Sequence, residues 1–255
     1  MKRMISEGES VSLGNAKCRG LESDPPTPRF RLRYLARYLP MDFQWVLRDI
    51  YYGWQIRQGR FFSDEPEFER LGEWVTQGDW VLDVGASIGH YTIRLASLVG
   101  IHGRVFAFEP VLETFALLAR NVRRAGCQNV TLLNMAVSDR AHMNGIEIPA
   151  GRTGLDAHYF AHLTGTPNER PVFCCPIDAF DFCSRIRLVK VDVEGHEPAV
   201  LSGMQRLLER DRPVLIVEHA TDELGRRLAS LGYESMRFNG SHNTVYIQCC
   251  RPTDL

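Results

Sequence analysis

Nothing constrains this chain more than the alternation that begins at Trp80. Short apolar runs at 81–85 (VLDVG), 105–109 (VFAFE), 130–137 (VTLLNMAV), 188–194 (LVKVDVE) and 214–220 (VLIVEHA) are separated by segments with helical periodicity. The runs are too evenly apolar to leave one face in water, which marks parallel strands covered on both sides. The helical segments are 90–99, 111–126, 198–211 and 222–232. Val111, Phe115, Leu118 and Val122 form the stripe of the second, which Gly126 can cap. Pro198 suits the first turn of the third. Two closing runs, 233–238 and 244–250, flank the turn sequence NGSHN and predict an antiparallel finish at one edge. The expectation is a doubly wound, mostly parallel α/β domain over 76–255.

Upstream the pattern changes. Residues 1–28 are polar and end in SDPPTP, the composition of a disordered tail. Residues 29–75 read as an N-terminal helical extension, with Phe43, Val46, Leu47, Ile50, Tyr51 and Trp54 on one apolar face. Phe68, Leu71 and Trp74 predict one more helix. The net charge of −1 supplies no field for nucleic acid, and no run is long enough to span a membrane. The N-terminus lacks the apolar stretch of a secretory signal. Seven cysteines, two pairs of them adjacent and none in C-x-x-C spacing, read as reduced thiols of a cytoplasmic protein.

The first strand runs into VLDVGASIGHYT. Gly85 and Gly89 bracket the turn, where glycine permits a sharp bend and a close ligand. The spacing is not the G-x-G-x-x-G of pyrophosphate-binding corners, which argues against a nicotinamide-dependent oxidoreductase. Asp83 at this strand end can face a cationic ligand group. Glu109 follows the second strand, where a carboxylate can accept two ribose hydroxyls. The third run ends NMAVSD: Ala136 and Val137 can flank a flat base, and Asp139 can reach an exocyclic amine or serve a turn. In LVKVDVEGHEP, Lys190 falls inside a buried strand and needs a carboxylate partner, Asp83 or Asp192. Asp192 and Glu194 follow at the carboxyl edge, where such sheets bind ligands.

These segments, in this order, resemble the FkbM family of methyltransferases. The resemblance rests on Asp-x-Gly-Ala-x-Ile-Gly, Ala-Phe-Glu-Pro, Asn-x-Ala-Val-Ser-Asp and Lys-Val-Asp-Val-Glu-Gly-His-Glu, and covers roughly residues 60–220. It implies a seven-stranded class I methyltransferase sheet, S-adenosylmethionine as donor with S-adenosylhomocysteine as product, and usually oxygen methylation of sugar or natural-product hydroxyls. It also implies cofactor contacts from Asp83, Gly85, Ser87, Gly89, Glu109, Ala136, Val137, Asp139 and Asp192. Ser87 departs from the family, which more often has asparagine there. The first 60 residues and the segment 140–176 lie outside the resemblance.

Methyl transfer to a hydroxyl requires alignment and a proton acceptor. His196, Asp192, Glu194 and His219 are the candidates, and His196 titrates nearest neutrality. Asp192, Glu194 and Glu218 could instead hold a divalent ion, but no dedicated ligand spacing appears and metal-free catalysis is favoured. The segment 140–176, with His142, His158, His162, Tyr159 and Phe160, is long for a plain connection and reads as a substrate-binding loop or hairpin. His158 and His162 have helical metal-pair spacing, though surface histidines are the favoured reading. With the N-terminal helix, these aromatics are the expected acceptor pocket. The expected partner is a small-molecule or glycan acceptor, and a homodimer is admitted. Nitrogen methylation and a non-catalytic cofactor-binding module remain as alternatives.

Overall fold

The computed structural model describes residues 40–148, 161–166 and 170–248. Helix α1 (Met41–Arg57) and the short helices α2 (Pro66–Glu69) and α3 (Leu71–Trp74) precede the sheet. Then follow β1 (Trp80–Val84), α4 (His90–Val99), β2 (Arg104–Phe108), α5 (Leu112–Arg124) and β3 (Val130–Leu133). Four strands come next: β4 (Ala136–Val137), β5 (His142–Glu147), β6 (His162–Leu163) and β7 (Pro171–Cys175). The chain continues through β8 (Ile186–Val191), α6 (Glu197–Ser202), α7 (Gln205–Asp211), β9 (Val214–Glu218) and α8 (Asp222–Ser230). It closes with β10 (Tyr233–Arg237) and β11 (Asn243–Gln248).

The main sheet has seven strands in the order β10-β11-β9-β8-β1-β2-β3. β3, β2, β1, β8 and β9 are parallel; β11 runs antiparallel between β9 and β10. Side-chain alternation divides the core. Val81 and Leu188 pack with Leu71, Leu95 and Val99 on one face, while Leu82, Val84, Val189 and Val191 pack with Val200, Leu201 and Leu224 on the other. Each such leucine, fully buried, contributes about 1.5–3 kcal/mol of burial free energy. α4 and α5 therefore cover one face, and α6, α7 and α8 the other, as the doubly wound expectation requires.

Three predicted elements are each broken in two, the first two of them by tertiary contacts. The run 130–137 is two strands, because Asn134 leaves the ladder and donates its side-chain amide to the carbonyls of Glu109 and Pro110 at 2.9 and 3.1 Å. β4 then joins a second sheet of order β4-β7-β5-β6. The helix predicted over 198–211 is interrupted at Gly203. There the Asp178 carboxylate accepts the amides of Arg206 and Leu207 at 2.8 and 3.0 Å and starts α7 afresh. Likewise the single helix expected around Phe68 and Trp74 is the pair α2 and α3.

Helix α1 forms where expected, but its apolar stripe faces outward: Phe43 is 61% and Ile50 62% exposed. The opposite face docks on α5. Gly53 lets the Arg124 guanidinium lie close, and Arg124 donates to both Asp49 carboxylate oxygens at 2.7 and 2.6 Å. The tail 1–28, the first part of the N-terminal extension (29–39) and His158, Tyr159 and Phe160 lie outside the described residues. His162 is in strand β6, so helical pairing with residue 158 has no basis at its end. Among the described residues, no helix is long and apolar enough to cross a membrane.

Candidate active site

The carboxyl ends of β1, β2, β8 and β9 open into a cavity of about 270 Å³. Its floor includes Gly85, Ser87 and Glu109; Asp192, Glu194, His196 and Glu218 line it from the β8 and β9 side. Ala136 and Val137 of β4 form another wall, and Ile146 of β5, Leu163 of β6 and the adjoining Ala161 also line it. The segment 140–176 thus contributes a β-sheet wall. No residue of α1 lines this cavity, contrary to its expected part in the acceptor pocket.

Gly85 adopts φ 81° in the turn after β1. A Cβ there would stand 1.7 Å from the Asp192 carbonyl oxygen, so the crossing of the β8 loop demands glycine here, before any ligand is considered. Gly89, at φ 99°, begins α4, and a Cβ on it would meet Leu118 at 2.7 Å; it serves helix packing and does not line the cavity. Ser87 holds φ 49°, a left-handed conformation that asparagine or glycine adopts more easily.

The Ser87 amide donates to one oxygen of Glu109 at 2.9 Å, and the Val111 amide to the other at 2.9 Å. Burial pushes the Glu109 carboxyl up to about 7 despite those two bonds. Asp83 is different: it is 1% exposed, turned into the interior beneath the cavity, and accepts the Thr92 hydroxyl at 2.5 Å. Burial raises it to about 6, with Thr92 and Lys190 opposing. Asp139 is at the surface, beside Ser138 and Arg140 and away from the cavity lining.

Lys190, 1% exposed, donates to Asp192 Oδ2 at 2.9 Å and lies 4.8 Å from the centre of the Tyr91 ring. Of the two partners expected from sequence, Asp83 and Asp192, it is Asp192 that pairs with the lysine. Burial lowers the ammonium's pKa, but Asp192, Glu65 and Asp83 outweigh it and hold it above the usual lysine value. The lysine also meets Asn243 Oδ1 at 3.5 Å, whose amide donates to Glu65 at 2.9 Å and to Glu67. This link from β8 through β11 to Glu65 and Glu67 at the start of α2 was not foreseen; an asparagine beside a turn carries no local sign of burial.

Asp192, Glu194 and Glu218 each place a carboxylate oxygen within 4.8 Å of the others. Burial and a shared hydrogen bond to Asp192 push Glu218 up to about 9, so it keeps its proton at neutral pH. Burial alone would raise Asp192 too, but Lys190 and the Glu218 proton hold it below the usual range. Glu194, at φ 50°, is raised by burial and by Asp192. His196 caps α6, and burial lowers its pKa against the opposing pull of Asp139 and Glu197. It is neutral near pH 7. His219 is nearby but exposed, its Nδ1 3.6 Å from Glu218.

The strand order, with an antiparallel strand inserted beside the edge, and the glycine turn after β1 are those of a class I methyltransferase fold. Residues 83–235 match the model described as Methyltransferase FkbM domain, and the chain belongs to that family. A curated relative, the hexuronic acid methyltransferase AglP of Haloferax volcanii, is 29% identical over 170 residues, 66% of this chain and 66% of that protein. A protein-L-isoaspartate O-methyltransferase of Methanococcoides burtonii is 33% identical over 60 residues, 24% of this chain and 30% of that protein. The chain thus spans just under two thirds of the first relative's length and less than a third of the second's. Among solved structures, Methyltransferase FkbM from Methylobacillus flagellatus KT superposes with a TM-score of 0.49 at 18% identity, covering 86% of this chain and 58% of that one.

Proposed function

We propose that the protein methylates a hydroxyl on a sugar or secondary metabolite, with His196 as the proton acceptor. The observation that carries this reading is the position of His196, partly buried on the wall of the cavity that Glu109 and Asp192 also line, where burial lowers its pKa. The name of the Haloferax volcanii relative supports a sugar acceptor.

The residues suit the donor. S-adenosylmethionine supplies a methyl group activated by a sulfonium and also carries an ammonium. An acid-lined cavity favours both positive charges. Glu109 holds the ribose in this reading: its backbone bonds use one lone pair on each oxygen, leaving one on each for the two hydroxyls. Ala136 and Val137 flank the adenine. The backbone of Gly85 and Ser87 meets the amino-acid end, and Asp192, fixed by Lys190, faces its ammonium. Asp83 and Gly89 act through the structure, Asp83 by its field and Gly89 by seating α4. Glu194 faces the acceptor. Asp139, outside the lining, acts on His196 rather than on the adenine amine.

The same walls favour oxygen over nitrogen acceptors. An amine beside Asp192 and Glu194 is held protonated and loses its nucleophilic pair, whereas a hydroxyl needs only the base. The test is transfer of a labelled methyl group to paired hydroxyl- and amine-bearing acceptors, hexoses and uronic acids among them. Label in a methyl ether or ester is expected; label confined to amines would overturn the reading.

A further inference from the structure

His196 Nε2 lies 3.0 Å from Ser138 Oγ, and that hydroxyl lies 3.1 Å from Asp139 Oδ1. Ser138 is 1% exposed and cannot easily shift. Its amide donates to the Cys175 carbonyl at 3.2 Å, and its own carbonyl packs so tightly on Gly203 that a Cβ there would stand 1.9 Å away. The serine is thus clamped between β4, β7 and the α6–α7 corner.

A serine hydroxyl has one proton to give. An ionised carboxylate can only accept, so the proton goes to Asp139, and Ser138 Oγ must then accept from His196 Nε2–H. The tautomer of the imidazole follows from the neighbour's bonding. We propose that Ser138, backed by Asp139, is a positioning residue that fixes His196 as its Nε2–H tautomer and leaves Nδ1 as the proton acceptor. The inference rests on the reading of His196 as the base. The charged and titratable groups acting on this ring are Asp139, Glu197 and His142. Asp139 and Glu197 favour the imidazolium; burial and His142 oppose it.

The proposal is tested by nitrogen NMR of the histidine rings together with kinetics. In the wild type, the His196 resonances should report a proton wholly on Nε2. In Ser138→Ala the two nitrogens should move toward each other as the tautomers mix. Turnover should fall about tenfold to a hundredfold, part of the 10²- to 10⁴-fold that a general base contributes. The KM for the donor should hold, and the acidic limb of the kcat profile should move to lower pH because the imidazolium loses its acceptor. Ser138→Thr, which keeps the hydroxyl, should restore the limb. A wild-type proton on Nδ1 overturns the proposal without any variant. A fully active His196→Ala enzyme removes the base reading and the proposal with it. An inactive His196→Ala beside a Ser138→Ala with unchanged resonances and limb overturns the positioning role alone.

Discussion

Replacing Lys190 by methionine removes an ammonium that is 1% exposed and leaves Asp192 without its 2.9 Å partner. Breaking a buried pair by deleting one member typically costs about 3–5 kcal/mol. Asp192 is 34% exposed, so solvent screens part of this and the lower end applies. In a chain of this size about 3 kcal/mol lowers Tm by about 6–12 °C. The loss should depend on pH. In the wild type, Asp192 is held below its ordinary value, so its contribution is present above about pH 4 and disappears only in acid. In Lys190→Met, burial and the neighbouring acids raise it instead, so the unfolded chain releases this proton before the folded one does. The difference between the two proteins should therefore grow as pH rises from about 4 toward neutrality. Circular dichroism melts across that range measure it. A Tm lowered by less than about 2 °C, or a difference that does not change with pH, would refute the ion pair's role.

Three further outcomes follow from the site. Glu109→Gln should weaken S-adenosylhomocysteine binding about tenfold to a hundredfold in calorimetry, the loss of a charged acceptor worth about 1.5–3 kcal/mol. Because Glu109 titrates at about 7, wild-type affinity should rise with pH through neutrality while the glutamine variant stays flat. Gly85→Ala should lower both Tm and cofactor affinity, since its Cβ would strike the Asp192 carbonyl 1.7 Å away; a variant that binds poorly yet melts normally would return the glycine to a purely ligand-facing role. Chelator should leave turnover unchanged, because Lys190 and the proton on Glu218 already offset the clustered carboxylates; loss of activity restored by magnesium would contradict this.

The parallel strands were legible because burial on both faces forces continuous apolar runs, as at Val81–Leu82 and Val189. The antiparallel finish was legible from the turn between β10 and β11. What escaped sequence reading was set by contacts distant along the chain. Asp178 restarts α7 from 28 residues away, and Asn134 is drawn off the strand by carbonyls of the β2 loop. Helix α1 shows that periodicity yields a face but not its partner: Gly53 and the Asp49–Arg124 pair turned the apolar stripe outward. In the site, Glu109 lies just past the end of β2 and reaches the cavity, whereas Asp83 lies one residue inside β1 and points to the α4 side. Ser138 carried no sequence sign of its contact with His196, 58 positions away.

A crystal structure with S-adenosylhomocysteine is the most direct test of the account. It should place the ribose hydroxyls on the Glu109 carboxylate, the adenine between Ala136, Val137 and the wall of Ile146 and Leu163, and the amino group at Asp192. The sulfur should face the region between Glu194 and His196. A ligand bound away from the Gly85 turn, or one whose ribose ignores Glu109, would contradict it.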